Sequence, residues 1–273
     1  MPEVQLAVET AVVSSREPLG PGFWRIALRC PRIARAAGPA QYVATDLPGP
    51  FAVRLPLGIW TVDGDEFTLL FREWGERTAQ LSRVMPGTEI SVIGPLGNSF
   101  SIPAPGSHAT IVAGGVGVVP FWLLGRALIK AGVQTRVLLG ARTKAMLIGA
   151  AELRDLGLTL DTCTDDGTAG QKGTVLDLLR DQGPVDMLYG CGPPAMLRAL
   201  CEHANAAKIP CQISMEETFG CSMGTCWGCV VPVRRGCTQA TGYPRAPDER
   251  RPYDLSRICT DGTVYSASDV EWL

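Results

Sequence analysis

The 273-residue sequence predicts an antiparallel β-barrel, a doubly wound α/β domain and a small cysteine-rich C-terminal domain, in that order. Three observations predict this fold class. Short apolar stretches separated by Gly, Pro and Asp fill residues 1–102, as in a small closed barrel. Strand and helix patterns then alternate as far as residue 205, as in a parallel sheet with helices on both faces. The rest has little periodicity and holds a cluster of cysteines. The predicted domains are 1–103, 104–209 and 210–273.

In the predicted barrel, apolar residues alternate in Val4–Val13 and, less regularly, in Phe23–Leu28, which predicts two strands with one buried face. The shorter apolar stretches Phe67–Phe71 and Glu89–Ile93 predict two more strands. Thr78–Val84 predicts a short helix between them.

The α/β domain is predicted to hold four strands, each followed by a helix. The strands are Thr110–Ala113, Thr135–Leu139, Leu158–Thr162 and Asp186–Tyr189, and the helices are Pro120–Ala131, Ala145–Leu156, Thr174–Gln182 and Pro194–Ala204. Ligands of such sheets bind at the carboxyl ends of the strands. Functional residues are therefore expected in the loops that follow these strands.

Composition excludes several classes of protein. The chain is 46% hydrophobic and 19% charged, as in an ordinary soluble globular protein, and its net charge of −2 argues against nucleic acid or an acidic membrane as partner. The most apolar stretch, Ala109–Leu124, is shorter than the roughly 20 residues of a membrane helix and contains Gly and Pro. The start of the chain lacks the basic and apolar parts of a secretory signal, so a cytoplasmic location is expected.

The most specific motif is Cys221-x4-Cys226-x2-Cys229, with Cys259 available as a fourth thiol. Plant-type 2Fe–2S clusters use this spacing with a distant fourth cysteine. Glycines between the thiols suit a loop that curls around a cluster. A structural zinc site usually takes two Cys-x2-Cys pairs, and this chain has one. Unrelated buried thiols are the other alternative, which the close spacing disfavours. The motif therefore predicts an iron–sulfur centre.

A glycine-rich turn, Gly114–Pro120, joins a predicted strand to a predicted helix. Gly115 and Gly117 allow the backbone to approach a pyrophosphate, which the helix N-terminus then stabilises. Pro120 suits the first turn of that helix. Close packing between strand and helix is the alternative explanation for the glycines. The strand–helix context favours a dinucleotide site.

Two further segments follow strands of the same sheet. Tyr189–Met196 places Cys191, Gly192 and Pro193 at the carboxyl edge, although an ordinary Gly-Pro helix start explains the same residues. Asp165, in the Thr-Asp-Asp-Gly segment after another strand, can accept hydrogen bonds from an adenosine ribose. A carboxylate there would repel a 2′-phosphate, which favours NAD over NADP. A solvated turn is the alternative.

In the barrel, two stretches are candidate contacts for a flavin. Arg54, at the start of Arg54–Ile59, can pair with a diphosphate through two hydrogen bonds. Gly75-x-x-Thr78 at a predicted helix start offers N–H groups and a hydroxyl. Ordinary barrel surface is the alternative for both. The candidate flavin residues are Arg54, Leu55, Pro56, Leu57, Gly58, Leu70, Phe71, Arg72, Arg77 and Thr78.

Together and in this order, these segments resemble the ferredoxin–NADP reductase superfamily and, within it, the electron-transfer subunits of dihydroorotate dehydrogenase B. The resemblance runs over nearly the whole chain. Gly94–Phe100 is similar to that family's signature at the end of the barrel. The segments around Gly115, Asp165 and Cys191 are similar to those of its nucleotide domain.

The cysteine-rich region carries the same resemblance. Met215-Glu216-Glu217 and the three cysteines that follow are similar to the family's cluster loop. Ile258–Tyr265 is similar to the segment that bears the family's fourth ligand. The resemblance therefore favours Cys259 over Cys237 as that ligand.

Two departures from the family pattern are visible. Leu55-Pro56-Leu57-Gly58 stands where the family usually has Arg-Pro-x-Ser, and Arg54 lies one place early, from where it can still reach a diphosphate. The stretch Arg234–Arg257 is longer than the family's usual connection and is rich in Arg and Pro.

The resemblance implies that FAD binds the barrel and that NAD(H) binds the α/β domain, with Cys191 as the catalytic candidate at the sheet edge. It also implies a 2Fe–2S cluster on Cys221, Cys226, Cys229 and Cys259. Electrons would pass between NADH, FAD, the cluster and an FMN-containing catalytic subunit, in a heterodimer or heterotetramer that serves pyrimidine biosynthesis.

Alternatives to this assignment stay open. The small subunit of a bifurcating NADH-dependent ferredoxin–NADP reductase, or another electron-transfer component of the reductase type, resembles the same family. An oxygenase reductase with a C-terminal ferredoxin domain is disfavoured, because too few residues precede Cys221 for the strands of a ferredoxin. A zinc-stapled nucleotide sensor is the non-enzymatic alternative. For any partner subunit, Met223 and Trp227 beside the cluster motif are candidate contacts.

Overall fold

A closed barrel of six antiparallel strands forms the N-terminal part of the computed structural model, which describes residues 6–47, 53–180, 183–217, 219–240 and 251–273. The strands are β1 (Ala7–Gly20), β2 (Phe23–Arg29), β3 (Tyr42–Asp46), β4 (Leu55–Asp63), β5 (Glu66–Arg72) and β6 (Glu89–Leu96). They pair in the order β1-β2-β5-β4-β3-β6, and β6 closes on β1. Two short helices, α1 (Pro31–Ala36) and α2 (Glu76–Leu81), lie between strands. The predicted barrel is confirmed.

The four strands predicted in the barrel are present, but the sequence pattern does not predict β3 and β4. Pro56 and Gly58 interrupt the strand pattern in β4, because both residue types are rare inside strands. Gly58 is required by packing, since a Cβ there would lie 2.8 Å from Cγ1 of Val119 in the next domain. The predicted strand start at Val4 lies outside the described residues.

The second part of the chain is a seven-stranded sheet with helices. The strands are β7 (His108–Gly114), β8 (Gln134–Ala141), β9 (Thr159–Thr164), β10 (Gln171–Lys172), β11 (Met187–Cys191), β12 (Cys211–Ser214) and β15 (Val264–Ser266), and the helices are α3 (Phe121–Lys130), α4 (Ala150–Asp155), α5 (Val175–Arg180) and α6 (Pro194–Ala207). The strand order is β10-β9-β8-β7-β11-β12-β15, and every pair except β12–β15 is parallel. The predicted α/β architecture is confirmed.

The strand order reverses between β7 and β11, so the crevice beyond their carboxyl ends is the expected ligand site. The helix predicted from Pro120 begins at Phe121, with Pro120 in the N-cap position. The helix predicted over Ala145–Leu156 is shorter, because Gly149 adopts a φ of 75° immediately before α4. The predicted helix end at Gln182 lies outside the described residues.

The cysteine-rich segment is tied to this sheet at two places. Its first strand, β12, is parallel to β11, and β15 pairs antiparallel with β12. Between them lie the antiparallel pair β13 (Val230–Arg234) and β14 (Tyr253–Arg257) and the short helix α7 (Ile258–Asp261). The segment therefore shares its packing with the α/β domain, and its predicted status as a third domain stays a prediction. Residues 241–250 of the long Arg/Pro-rich stretch lie outside the described residues.

Among the residues that the structure describes, three clusters of buried hydrophobic side chains hold these parts together. One fills the barrel, one joins the barrel to one face of the sheet, and one joins the other face to the cysteine-rich segment. Representative members are Ile26, Leu28 and Phe67 in the first, Trp60, Phe121 and Tyr189 in the second, and Leu200, Val233 and Cys259 in the third. Within the described part of the chain, no helix is long and apolar enough to cross a bilayer.

Candidate cofactor sites

A cavity of about 1030 Å³ lies between the barrel and the carboxyl edge of the sheet. Its walls come from strands of the barrel, from loops of the sheet and from the cysteine-rich segment. Many residues predicted from the sequence line it, namely Pro56, Leu57, Gly58, Leu70, Phe71, Arg72, Gly115, Gly117, Pro120, Asp165, Gly192 and Pro193. The structure thus brings the predicted flavin and dinucleotide residues to one continuous space.

Some predicted flavin residues lie elsewhere. The Arg54 guanidinium is 3.5 Å from the Asp46 carboxylate and donates to the Ser91 carbonyl oxygen at 3.4 Å, on the barrel wall. Arg54, Leu55, Arg77 and Thr78 are not among the residues that line the cavity. The proposed contact of Arg54 with a flavin diphosphate stays a prediction.

Thr78 has a structural role at the start of α2. Its Oγ1 accepts hydrogen bonds from the N–H groups of Trp74 at 2.8 Å and Gly75 at 3.1 Å, and it donates to the Gly75 carbonyl at 3.0 Å. The hydroxyl therefore fixes the turn that leads from β5 into α2. Nearby, Arg77 donates to the Leu47 carbonyl at 3.5 Å.

Arg72 is the barrel arginine that lines the cavity. Its guanidinium carbon lies 5.7 Å from the ring centres of both Phe23 and Trp74, within the range of cation–π attraction. Trp74 also lines the cavity and is 83% exposed. The sequence analysis did not select Trp74, although its position immediately before Gly75-x-x-Thr78 could have indicated it.

The glycine-rich loop after β7 packs against the loop after β11. A Cβ at Gly117 would lie 2.4 Å from the Cys191 carbonyl oxygen, and one at Gly114 would lie 2.7 Å from Cδ of Pro193. Gly115 has a φ of 56°, and nothing lies within 4 Å of the Cβ position there. Close packing therefore requires Gly117, whereas Gly115 borders open space in the cavity.

Cys191 lies beneath this loop and is 1% exposed. Its Sγ is 4.0 Å from Oε1 of Glu216, a residue that lines the cavity. Burial, and then the nearby Glu216, raise the pKa of the Cys191 thiol well above its usual range. Desolvation also raises the pKa of Glu216. The thiol is therefore protonated at neutral pH, and the catalytic role predicted for Cys191 stays a prediction that does not involve a thiolate.

The two aspartates after β9 have different surroundings. Asp166 closes its own turn, because its carboxylate accepts from the Thr168 hydroxyl at 2.6 Å and the Thr168 N–H at 2.9 Å. These two bonds lower the pKa of Asp166. Asp165 instead lines the cavity together with Arg142 from the loop after β8. Of the pair, Asp165 is the one that lines the cavity, and its predicted contact with a ribose stays a prediction.

Cys221 and Cys226 form the outer pair of thiols. The Cys221 Sγ accepts from the N–H groups of Met223 at 3.4 Å, Thr225 at 3.3 Å and Cys226 at 3.4 Å. The Cys226 Sγ accepts from the Gly228 N–H at 3.4 Å. Burial raises the pKa of Cys221, but hydrogen bonds from Thr225, Cys226 and Met223 outweigh it and bring the pKa to about 6. These hydrogen bonds therefore stabilise the thiolate form of Cys221.

Cys229 and Cys259 form the inner pair, and they are 2% and 3% exposed. Burial, and then a hydrogen bond with Cys229, raise the pKa of Cys259 to about 12. None of these cysteines is in a disulfide. Among the described residues, no three or more His, Cys, Asp or Glu side chains converge on a position for one metal ion. The predicted fourth-ligand role of Cys259 stays a prediction.

Two sets of contacts hold the loop that carries Cys221 and Cys226 against α7. Gly224 has a φ of 78°, and a Cβ there would lie 2.8 Å from Cγ2 of Thr260. Arg257 donates to the Gly224 carbonyl at 3.1 Å, pairs with Asp261 at 3.2 Å and lies 4.6 Å from the Trp227 ring. Arg257 thus links the loop that carries Cys221 and Cys226 to α7, the helix that carries Cys259.

The segment that carries Cys259 is bonded to the barrel. The Tyr42 hydroxyl donates to the Cys259 carbonyl at 3.1 Å, and the Thr263 hydroxyl donates to the Ala40 carbonyl at 3.0 Å. Tyr42, Phe219 and Thr263 also line the cavity. The sequence pattern does not single out these cavity residues, because they come from separate segments without a shared motif.

Of the two residues predicted to contact a partner subunit, one is exposed on the surface beside Cys221 and Cys226. Met223 is 66% exposed, whereas Trp227 is half-buried beneath Arg257. Trp227 therefore has a packing role within the loop, and Met223 is the more available of the two for a partner.

Comparisons with known proteins agree with this architecture. Residues 111–202 match the family described as "Oxidoreductase NAD-binding domain". The chain is 33% identical over 269 residues to a Bacillus caldolyticus protein named "Dihydroorotate dehydrogenase B (NAD(+)), electron transfer subunit", covering 96% of this chain and 98% of the relative. A protein of the same name from Desulforamulus reducens is 32% identical over 262 residues, covering 93% and 94%.

A solved structure is similar over the same extent. It is that of an NADH-dependent reduced ferredoxin-NADP oxidoreductase, studied for flavin-based electron bifurcation. The TM-score is 0.81 at 25% identity, and the match covers 96% of this chain and 90% of that chain. The similarity therefore includes the cysteine-rich segment as well as the barrel and the sheet.

Proposed function

Because this chain belongs to the family of dihydroorotate dehydrogenase B (NAD(+)) electron transfer subunits, we propose that it passes electrons between NAD(H) and a partner dihydroorotate dehydrogenase subunit that contains FMN. It is an NAD-dependent oxidoreductase subunit. The carriers within the chain are FAD and a 2Fe–2S cluster. The observation that carries this proposal is the single cavity that joins the barrel, the sheet edge and the thiol-bearing segment.

NAD(H) is assigned to the crevice beyond β7 and β11. Gly115 leaves room for a pyrophosphate beside the helix start at Pro120. Asp165 is placed to accept hydrogen bonds from the adenosine ribose. The nicotinamide would then lie near Gly192, above the buried Cys191 and beside Glu216. Gly192 and Glu216, which line this part of the cavity, would hold the ring.

FAD is assigned to the barrel side of the cavity, against Pro56–Gly58 and Leu70–Arg72. Arg72 supplies a positive charge there. When bound, FAD would supply the conversion between two-electron exchange with NAD(H) and one-electron exchange with the cluster, and the protein would supply position and electrostatics.

The cluster is assigned to Cys221, Cys226, Cys229 and Cys259. Support comes from the spacing and from the N–H groups that point at Cys221 and Cys226. A 2Fe–2S cluster has two irons with two thiolates each, which suits an outer and an inner pair. Met223 on the outer side is the proposed contact for the partner subunit.

Reconstitution tests the assignment. Protein purified without air should contain FAD, iron and acid-labile sulfide, and should reduce artificial dyes with NADH. It should show no dihydroorotate turnover alone. Adding the FMN-containing dihydroorotate dehydrogenase subunit from the same source should couple dihydroorotate oxidation to NAD⁺ reduction. Zinc without iron or flavin would instead support the nucleotide-sensor alternative, and failure to copurify or couple would reject the pyrimidine assignment.

The second candidate is the small subunit of a bifurcating reductase. The observation that favours it is the similarity to the NADH-dependent reduced ferredoxin-NADP oxidoreductase over nearly the whole chain. The two candidates differ in the partner subunit. A partner that reduces NADP⁺ with reduced ferredoxin and NADH, and does not oxidise dihydroorotate, would establish this candidate.

A further inference from the structure

Tyr42 touches both proposed cofactor sites. It lies on β3 opposite Gly58 of β4, a predicted flavin contact, and it lines the cavity. It is 4% exposed, and the part of its surface that is open faces this cavity. Its hydroxyl donates at 3.1 Å to the carbonyl oxygen of Cys259, a proposed cluster ligand.

Phe219 and Gly97 flank the Tyr42 ring, which also borders the cavity. The Phe219 ring stands edge-on to it, with 5.2 Å between ring centres and 69° between planes. On another side, a Cβ at Gly97 would lie 3.4 Å from Cδ1 of Tyr42. A ligand that packs against this wall therefore restrains the hydroxyl, and the hydroxyl restrains the main chain at Cys259.

We propose that Tyr42 is a positioning residue that couples FAD binding to retention of the iron–sulfur cluster. The inference rests on the proposed function, because it takes FAD and the cluster as the occupants of the two sites. FAD against the cavity wall holds the Tyr42 ring, and the ring holds the Cys259 segment in its liganding position. Coupling between two sites is reciprocal, so the cluster must favour FAD binding by the same factor.

Iron release to a chelator measures this coupling without relying on turnover. The cluster-loaded protein is compared with and without bound FAD, and iron loss is followed by the absorbance of the chelate. FAD should slow iron loss about fivefold, which corresponds to one hydrogen bond worth about 1 kcal/mol. In Tyr42→Phe, which keeps the ring and removes the hydroxyl, FAD should no longer slow the loss.

Tyr189→Phe is the matched control. Tyr189 is also buried, and its hydroxyl donates to a main-chain carbonyl, that of Ser101 at 2.6 Å. This variant loses a similar hydrogen bond that does not involve any of the four proposed cluster ligands. FAD should therefore still slow iron loss in it. Equal protection by FAD in Tyr42→Phe and the native chain would overturn the proposal, as would absence of protection in the native chain.

Two further measurements distinguish failure of the proposed function from failure of the proposed coupling. Flavin and iron contents are determined first, and a chain that binds neither would reject the proposed function rather than the coupling. If Tyr42→Phe fails to fold, FAD affinity of the native chain is measured with the cluster present and after its removal. A coupling free energy of about 1 kcal/mol corresponds to an FAD affinity about fivefold higher with the cluster present. Equal affinities would overturn the proposal.

Discussion

The Asn98 side chain holds Val264 through both of its polar atoms. Its Oδ1 accepts from the Val264 N–H at 2.7 Å, and its Nδ2 donates to the Val264 carbonyl at 2.9 Å. Asn98 follows the last barrel strand, and Val264 begins β15, the strand after the Cys259 segment. The Gly94–Phe100 motif at the barrel's end thus binds a segment far along the chain.

Asn98→Ala should lower the free energy of unfolding by about 1–3 kcal/mol, because it leaves the buried Val264 N–H without its acceptor. Chemical denaturation of the loaded protein measures the loss. Asn205→Ala, at an exposed position of α6, is the control and should change stability little. Equal stability of the two variants would show that the Asn98–Val264 contact contributes little.

Serine at Cys221, Cys226, Cys229 or Cys259 should remove or shift the electron paramagnetic resonance signal of the reduced cluster. Serine at the inner positions should lower the iron content most, because Cys229 and Cys259 are buried and a replacement ligand has little room to adjust. Cys237→Ser is the control, since Cys237 is buried in the same segment. Loss of the cluster in Cys237→Ser with an intact cluster in Cys259→Ser would reject the fourth ligand assignment.

In the cluster-free chain, Cys221 should react with iodoacetamide with a midpoint near pH 6. Its pKa falls from 9.0 to about 6, so the thiolate forms above that pH. The stabilisation from the hydrogen bonds is complete above the unfolded pKa and is lost as the pH falls through the folded pKa. Cys259, with a pKa raised to about 12, should stay unmodified at neutral pH.

Peptide mass spectrometry across a pH series measures this difference. Thr225→Val should move the Cys221 midpoint upward, because the Thr225 side chain contributes one of the hydrogen bonds that lower the pKa. A midpoint near pH 9 in the native chain would contradict the loop geometry.

Arg72→Ala should weaken FAD binding by about 10- to 100-fold, the range for a lost charged hydrogen bond of roughly 1.5–3 kcal/mol. Arg54→Ala is the matched control and should have a smaller effect, because Arg54 is directed to Asp46 and Ser91. Fluorescence titration of the flavin-free protein measures both affinities. A larger loss in Arg54→Ala would place the diphosphate on that side of the barrel instead.

Asp165→Ser should raise the KM for NADH and lower the KM for NADPH, because it removes a ribose acceptor and the charge that repels a 2′-phosphate. We expect a change of about tenfold in each, equivalent to about 1.4 kcal/mol. Asp166→Ser should leave the preference between NADH and NADPH unchanged, since Asp166 is bonded within its own turn. Steady-state dye reduction measures both variants, and equal shifts would contradict the distinction between the two aspartates.

The sequence predicted best the strands and helices in which apolar residues recur at regular intervals. The strands and helices from β7 to α6 follow apolar periodicity, and the sequence predicted most of them within a few residues. Strands β3 and β4 escaped prediction because one is short and the other contains Pro56 and Gly58. Strands β12 and β15 are short and are stabilised by a sheet built elsewhere in the chain.

The residues of the candidate sites also fall into two groups, those that belong to a local sequence motif and those that do not. Gly115, Asp165 and the cysteine motif are recognisable because their chemistry depends on neighbours in sequence. Tyr42 and Thr263 reach the cavity through contacts with residues more than 200 positions away, which no local motif encodes. The local motif at Arg54 likewise does not encode its contact with Asp46, and the predicted contact of Arg54 with a diphosphate stays a prediction.

Ser214 and Val264 are neighbours across β12 and β15, so everything between them leaves and re-enters the sheet at one point. The thiol-bearing region is therefore an insertion into a hairpin rather than a module appended to the end of a reductase. The order of the remaining strands therefore does not depend on what lies between β12 and β15. A short turn from β12 to β15 would keep this antiparallel sheet edge while removing the cysteine motif from the chain.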